Sequence, residues 1–290
     1  MLLLQHLFSG IVLGCTYTLF SLGLTLIFGI LGIVNYAHGE LYMFGAFLAF
    51  YAALLLKTNY FMAVVASTIG MALLGYLIER TVFRPLRGYD DTSVIVSTIG
   101  LSIFMQNLGI TIFGPDPVRL ETAAADINVT VGGLTVGLQR IIVVVVTVAL
   151  IVALHLFSQR TRMGKAMRAC SQDLTAAKMM GININRVTVV TTMIGAALAG
   201  IGGALVAPLY LVSPVMGIKV CTKAFAVVIL GGLGNVPGAI FGGFLVGIAE
   251  SITAGMISSH LRDVVAFAIL VVALLFKPEG LFAKHVQEKV

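Results

Sequence analysis

The sequence predicts an all-α, polytopic helical bundle of about eight or nine membrane spans, on three observations. Hydrophobic residues make up 59% of the 290-residue chain and charged residues only 10%, whereas soluble domains carry about a quarter charged. Mean hydropathy is +1.06. Apolar runs approaching the roughly 20 residues needed to cross a bilayer recur from one end of the chain to the other. Abundant glycine and the absence of tryptophan suit close helix packing in lipid, where small residues let backbones approach. The net charge of +6 does not point to nucleic acid, because in a polytopic chain a Lys/Arg excess marks the loops that face the cytoplasm.

The first span runs from about Leu7 to Ile30, and the preceding MLLLQHLFSG has no Lys or Arg. That argues against a cleaved signal peptide and for a retained span. A polar break, Gly32 to Glu40, follows, then spans at Leu41–Leu56 and Tyr60–Ile78. The loop Glu79–Thr92 holds Arg80, Arg84 and Arg87, and a fourth span covers Ser93–Phe113. In the polar connection over 114–140, Val129 to Val136 alternates around Gly132-Gly133, which predicts a small hairpin. Ile141–Phe157 is the fifth span, a basic loop occupies 158–186, and Val187–Tyr210 is the sixth span. Cys221–Leu230 is too short to cross unless its helix extends outward past Lys219, so the span count stays at eight or nine. Spans at Ala239–Gly255 and Val264–Phe276 and a tail over 277–290 complete a single domain, 1–290. Pro237, two residues after Asn235, suits the first turn of the helix it opens.

Basic residues set the orientation. The loop after the third span, the loop after the fifth and the tail hold Arg80, Arg84, Arg87, Arg160, Arg162, Lys165, Arg168, Lys178, Arg186, Lys277, Lys284 and Lys289. Only Lys57, Arg119, Arg140, Lys219, Lys223 and Arg262 lie elsewhere. The first group is therefore expected in the cytoplasm, with the N-terminus outside. Residues 27–32 echo 229–234, and Phe44–Phe47 echoes Phe241–Phe244. Both pairs straddle the cytoplasmic end of a span, so they read as a parallel internal repeat or as chance similarity of glycine-rich apolar sequence. Gly32, Gly39, Gly231, Gly232 and Gly234 mark the two breaks as hinge positions.

Within the basic loop, Gly164 to Asn185 is the longest polar stretch with helix-forming character. Ser171 and Asp173 offer capping oxygens, Ala176, Ala177 and Lys178 favour helix, and Gly181 supplies a stop. A helix over roughly 172–180 would bring Leu174, Ala177 and Met180 toward one face. So short a helix is marginal alone and needs a docking surface. An ordinary solvated loop with one helical turn meets the same local signals.

Candidate pathway residues lie inside the spans. Asn35, His38 and Glu40 cluster in the first break, as helix-end structure or as pathway contacts. Glu250 stands in an apolar run, where an ionised carboxylate is expensive. It reads either as a contact for a substrate ammonium group or as a buried pair with His260 or Arg262. Ser97, Gln106 and Asn107, with Thr98, Gly100 and Ser102, make the fourth span unusually polar, for helix packing or for a lined path. No metal-ligand cluster is evident, and Cys15, Cys170 and Cys221 form no disulfide framework. No G-x-x-x-x-G-K-[ST], H-E-x-x-H or G-x-S-x-G is present, so neither ATP binding by a P-loop nor hydrolysis has motif support.

Thr175-Ala176-Ala177-Lys178-Met179-Met180-Gly181 resembles the E-A-A-x-x-x-G loop of ABC-importer permeases, with Thr175 where the glutamate stands and Asp173 as the nearest carboxylate. The segments NYAHGE (35–40), ERTVFRP (79–85), STIGLSIFMQN (97–107), RMGKA (162–166), LGGLG (230–234) and GIAE (247–250) occur in an order and spacing that extend the resemblance. Taken together, they make the chain similar to the LivH-type permeases of branched-chain amino-acid ABC importers. The resemblance implies that Asp173, Leu174, Thr175, Ala176, Ala177, Met180 and Gly181 form a coupling helix on an ATPase subunit. It further implies a second related permease, two ATPase subunits carrying ATP and Mg, a periplasmic binding protein, and residence in a bacterial inner membrane. This chain would bind no cofactor or nucleic acid and would be no enzyme itself. Relatives that carry urea or other small solutes share the glycine-rich motifs, and a self-contained channel or secondary transporter is the alternative from another class.

Overall fold

Long apolar runs without proline become helices because, in a medium that offers no hydrogen-bond partners, a helix satisfies its own backbone. The computed structural model describes residues 2–56, 59–131, 134–277 and 280–282. It comprises α1 (Leu2–Leu31), α2 (His38–Leu56), α3 (Tyr60–Ile78, continued as a π-helical segment over Glu79–Phe83), α4 (Asp91–Phe113), α5 (Ala123–Asp126), β1 (Asn128–Val131), β2 (Leu134–Gly137), α6 (Leu138–Arg160), α7 (Arg162–Cys170), α8 (Leu174–Met179), α9 (Ile184–Val206), α10 (Met216–Gly231), α11 (Val236–Met256) and α12 (Arg262–Phe276). Among the described residues eight helices are long and apolar enough to span a membrane: α1, α2, α3, α4, α6, α9, α11, and α12 with the turn before it. The chain is a multi-pass, all-α membrane bundle.

The predicted hairpin forms, with Asn128 opposite Gly137 and Val131 opposite Leu134; its turn glycines, Gly132 and Gly133, and the tail beyond Phe282 lie outside the described residues. It marks one end of the bundle. There Val118 and Val212 form an antiparallel bridge, and Gln139 donates to the Tyr60 hydroxyl (2.8 Å) and to the Leu205 carbonyl (3.0 Å). The α7–α8 segment marks the other end.

α1 and α9 are the most buried spans, and α4, α6 and α12 the least. α1 lies antiparallel on α11 at backbone contact. A Cβ at Gly14 would meet Phe244 Cα at 2.9 Å, and Gly247 lies against the Gly14 backbone itself. Only glycine permits that approach. α10 extends past Lys219 as the ninth-span reading required, but its 16 residues rise about 24 Å, short of a roughly 30 Å hydrocarbon core.

Two segments expected as loop are helical. The chain after Ile78 continues for five π-helical residues before the turn at 84–89, and Asp90 then caps α4 by accepting from the Ser93 amide (3.0 Å). Residues 162–170 form α7, opened by Thr161, whose hydroxyl accepts from the Gly164 amide (2.9 Å). Arg162 and Gly164 hid that helix from a reading based on apolar runs.

Candidate functional site

At the α7–α8 end, the six-residue α8 starts at Leu174, two residues later than expected. The cause is the backbone at Asp173, which is extended (φ −158°), and its carboxylate, which accepts from the Thr175 (2.8 Å) and Ala176 (2.9 Å) amides. Ser171 serves the preceding helix, donating to the Arg168 carbonyl (2.9 Å). Gly181 stops α8 at φ +81°, a left-handed conformation that costs a side-chain-bearing residue about 1–2 kcal/mol. Ala177 does not share the outward face. It is buried with Ile30, Met167, Cys170 and Val187 and anchors α8 to the bundle. Leu174, Thr175, Ala176, Lys178, Met179 and Met180 are exposed, the two methionines at 81% and 83%. The exposed surface thus combines apolar Leu174, Met179 and Met180 with polar Thr175 and Lys178, and its thioether side chains are flexible and adaptable.

Next to α8 lies an ion cluster that sequence reasoning missed. Glu79, buried in the π segment of α3, is bound by Arg87 from the following turn; Arg87 also donates to Thr188 and to Asn185 (2.6 Å), both in the first turns of α9. Thr188 donates to Glu79 (3.0 Å). The π segment was the missing signal, since it places Glu79 on the α9 side only once the helix is built.

The two glycine breaks differ in kind. After Leu31 the chain turns at Gly32 (φ +70°) and runs extended to Asn35, whose side chain accepts from the Ala37 amide (3.0 Å). His38 then opens α2 with Nε2 3.2 Å from the Phe20 carbonyl and its ring on the Phe20 ring at 4.7 Å. Phe20 stands eleven residues before Leu31 in α1, about 16 Å back along that helix. The break is thus re-entrant, and α2 begins deep in the bundle. Gly39 lies directly against Gly217, the second residue of α10, with no space for a Cβ. The second break is a tight turn: Gly232 (φ +96°) and Gly234 (φ +77°) reverse the chain, Asn235 caps α11 on the Gly238 amide (3.0 Å), and Gly231 backs onto Gly238.

Re-entry places Glu40 well inside the protein, 1% exposed. One carboxylate oxygen accepts from Ser102 on α4 (3.2 Å), and the other has no hydrogen-bond partner among the described residues. Ser102 also lines a cavity of about 500 Å³ walled by α1, the re-entrant segment, α4, α10 and α12. Among the other candidates on α4, Ser97 donates back to the Ser93 carbonyl (2.7 Å), and Asn107 donates to the Ile103 carbonyl (2.8 Å) on the exposed face. Gln106 is half-buried. Thr98 ties α4 to the re-entrant segment through the Val34 carbonyl (3.0 Å).

Glu250 lies apart from Glu40 and is fully buried. Its carboxylate accepts from Tyr17 (2.8 Å), Lys223 (3.0 Å) and Arg262 (3.2 Å), and Lys223 also reaches Asp263 (2.7 Å). Two cations and two carboxylates thus balance within the chain. Lys223, on α10, was not among the candidates because only the fold brings it to Glu250. His260 is exposed in the turn before α12. No group of three His, Cys, Asp or Glu among the described residues is placed to hold a metal.

The whole chain compares closely with known permeases. It is 38% identical over 300 residues to the high-affinity branched-chain amino acid transport system permease protein BraD of Pseudomonas aeruginosa, covering 99% of this chain and 98% of the relative. It is 36% identical over 301 residues to the corresponding LivH protein of Escherichia coli, covering 99% and 97%. A probable LivH of Methanocaldococcus jannaschii is 25% identical over 94% of this chain and 90% of its own. The fold is also similar to a chain in the structure of PsaBC from Streptococcus pneumoniae in complex with Fab, with a TM-score of 0.51 over 93% of this chain and 91% of that one at 12% identity. The sequence profile described as branched-chain amino acid transport system / permease component matches residues 6–274, and the chain belongs to that permease family.

Proposed function

We propose that the chain is a membrane-spanning subunit of an ATP-driven importer and forms part of the path for leucine, isoleucine, valine or similar hydrophobic amino acids. Full-length similarity to proteins named as branched-chain amino acid permeases carries this reading. In this arrangement α8, with Asp173 as its cap and Gly181 as its stop, is the coupling helix, and its exposed Leu174, Met179 and Met180 meet an ATPase subunit. A second related permease chain, two ATPase subunits holding ATP and Mg, and a periplasmic binding protein complete the machine, so the chain itself hydrolyses nothing. The basic loops at 79–92 and 158–186 and the tail from 277 face the cytoplasm of a bacterial inner membrane, and the 114–140 connection faces outward. ATP closure at the ATPase pair moves α8, and through Ala177 and the Glu79–Arg87–Thr188 cluster that motion reaches α9 and α3. Transport follows because ATP favours one of two arrangements of the spans.

The test is co-purification with the ATPases encoded beside this chain, together with leucine uptake into vesicles. Leu174→Asp and Gly181→Pro are expected to lose the complex and ATP-dependent uptake while the chain remains inserted. Uptake without any ATPase bound, or two unaffected variants, would instead support a self-contained transporter. ATP-dependent uptake of urea in place of leucine would move the substrate assignment within the family.

A further inference from the structure

The spans bury three carboxylates among the described residues, Glu40, Glu79 and Glu250. Two of them meet cations: Glu79 has Arg87, and Glu250 has Lys223 and Arg262. Glu40 meets none among the described residues and is held only by the Ser102 hydroxyl, with its second oxygen buried and unpartnered. A carboxylate inside a membrane bundle with no cation is expensive, and such groups mark ligand or ion paths. Its free oxygen lies against Gly217, 2.7 Å from where a Cβ would stand, one turn before Cys221. Ser102 and Cys221 both line the 500 Å³ cavity and Glu40 does not, so the carboxylate stands directly behind the cavity wall, one hydrogen bond from it through Ser102. The volume falls within the roughly 300–1,000 Å³ of small-molecule sites. Ile103, Phe225 and Ile229 make its walls predominantly apolar.

The geometry points to this cavity as a transient binding site for the ammonium end of an aliphatic amino acid. Ser102 meets the ammonium group at the wall, Glu40 behind it supplies the negative charge, and the walls around Ile103, Phe225 and Ile229 take the branched side chain. No Lys or Arg lines the cavity among the described residues, so the α-carboxylate is left toward its open side. This assignment rests on the importer reading above and names the chemistry of its path. Recognition here selects a cation with a branched apolar tail.

The test uses the assembled complex in nanodiscs without binding protein, reading [³H]leucine binding by scintillation proximity. On the natural complex, 3-methylbutylamine, which keeps the ammonium, should displace leucine, and 4-methylpentanoate, which keeps only the carboxylate, should not. Displacement by 4-methylpentanoate and not by the amine would overturn the assignment. Glu40→Gln, compared at equal amounts of assembled complex, should weaken leucine binding at least tenfold, and Ser102→Ala about threefold. Unchanged binding in Glu40→Gln would equally overturn the site, and if that variant fails to assemble, the competition pair decides alone. Failure of the importer reading would look different, because the natural complex would then show no ATP-dependent leucine uptake at all.

Discussion

Lys223→Met removes one cation from the cluster that neutralises Glu250, and its cost can be worked from the geometry. Lys223 Nζ lies 3.0 Å from the Glu250 carboxylate and 2.7 Å from Asp263, and its side chain is 14% exposed. At 3.0 Å and an effective dielectric of about 20, the attraction to Glu250 alone is roughly 5 kcal/mol. Burying the ammonium group offsets part of this, and Arg262 and Tyr17 stay on the carboxylate, so a net loss of about 2–3 kcal/mol is expected. The cluster carries two positive and two negative charges. Each of Lys223→Met and Glu250→Gln therefore leaves one charge unmatched, and the double variant restores the balance. The double variant should accordingly cost at least about 2 kcal/mol less than the two single losses combined. A thiol-reactive fluorophore reads this directly, since Cys15, Cys170 and Cys221 are all buried and free and react as the chain unfolds on heating. Burial also raises the Cys170 thiol above its ordinary value, which keeps the folded background low. Additive losses, or a Lys223→Met transition at the natural temperature, would refute the view that these charges hold α10, α11 and α12 together.

Arg87→Met should lose about 2–4 kcal/mol, because Glu79 is then buried with Thr188 alone; adding Glu79→Gln should recover most of it in the same assay. Gly247→Val drives a side chain into the Gly14 backbone and should cost about 1–3 kcal/mol or more, read as a lowered transition temperature, whereas the same change at Gly100, which faces open space, should not. Asp173→Ala removes both capping bonds of α8 and should speed hydrogen exchange over residues 174–180 by an amount set by about 1 kcal/mol, with the spans unaffected. The Ser93 hydroxyl and amide hold the Asp90 carboxyl below its ordinary 3.8. A depressed carboxylate contributes stability above that value and loses it as pH falls through the folded value, so the protection of the first-turn amides of α4, each rate taken relative to its intrinsic rate at that pH, should fall on acidification below about 4 and stay flat between pH 6 and 8.

Much of this protein was legible in the chain because the bilayer permits so few backbone arrangements. Tyr60–Ile78 and Phe113 bound their helices as the apolar pattern required, Gly181 stopped α8, Pro237 fell in the first turn of α11, and the Val129–Val136 alternation gave the hairpin. These are local effects of propensity, capping and hydropathy, carried by residues close in sequence. Other features depended on neighbours far apart in the chain. Lys223 finds Glu250 only when α10 packs beside α11, and Arg87 finds Thr188 across about a hundred residues. Glu40 reads in sequence either as a helix-opening acid or as a pathway contact, with nothing local to decide between them. Its burial arises because the chain after Gly32 climbs back along α1 to the level of Phe20 and sets the carboxylate between Ser102 and Gly217. The eight long spans and their order thus followed from the sequence, because hydropathy is a sum over adjacent residues, whereas the extent of α10 did not. Which charges are matched and which one is left unpaired was decided by tertiary packing, because electrostatic pairing depends on distance in space.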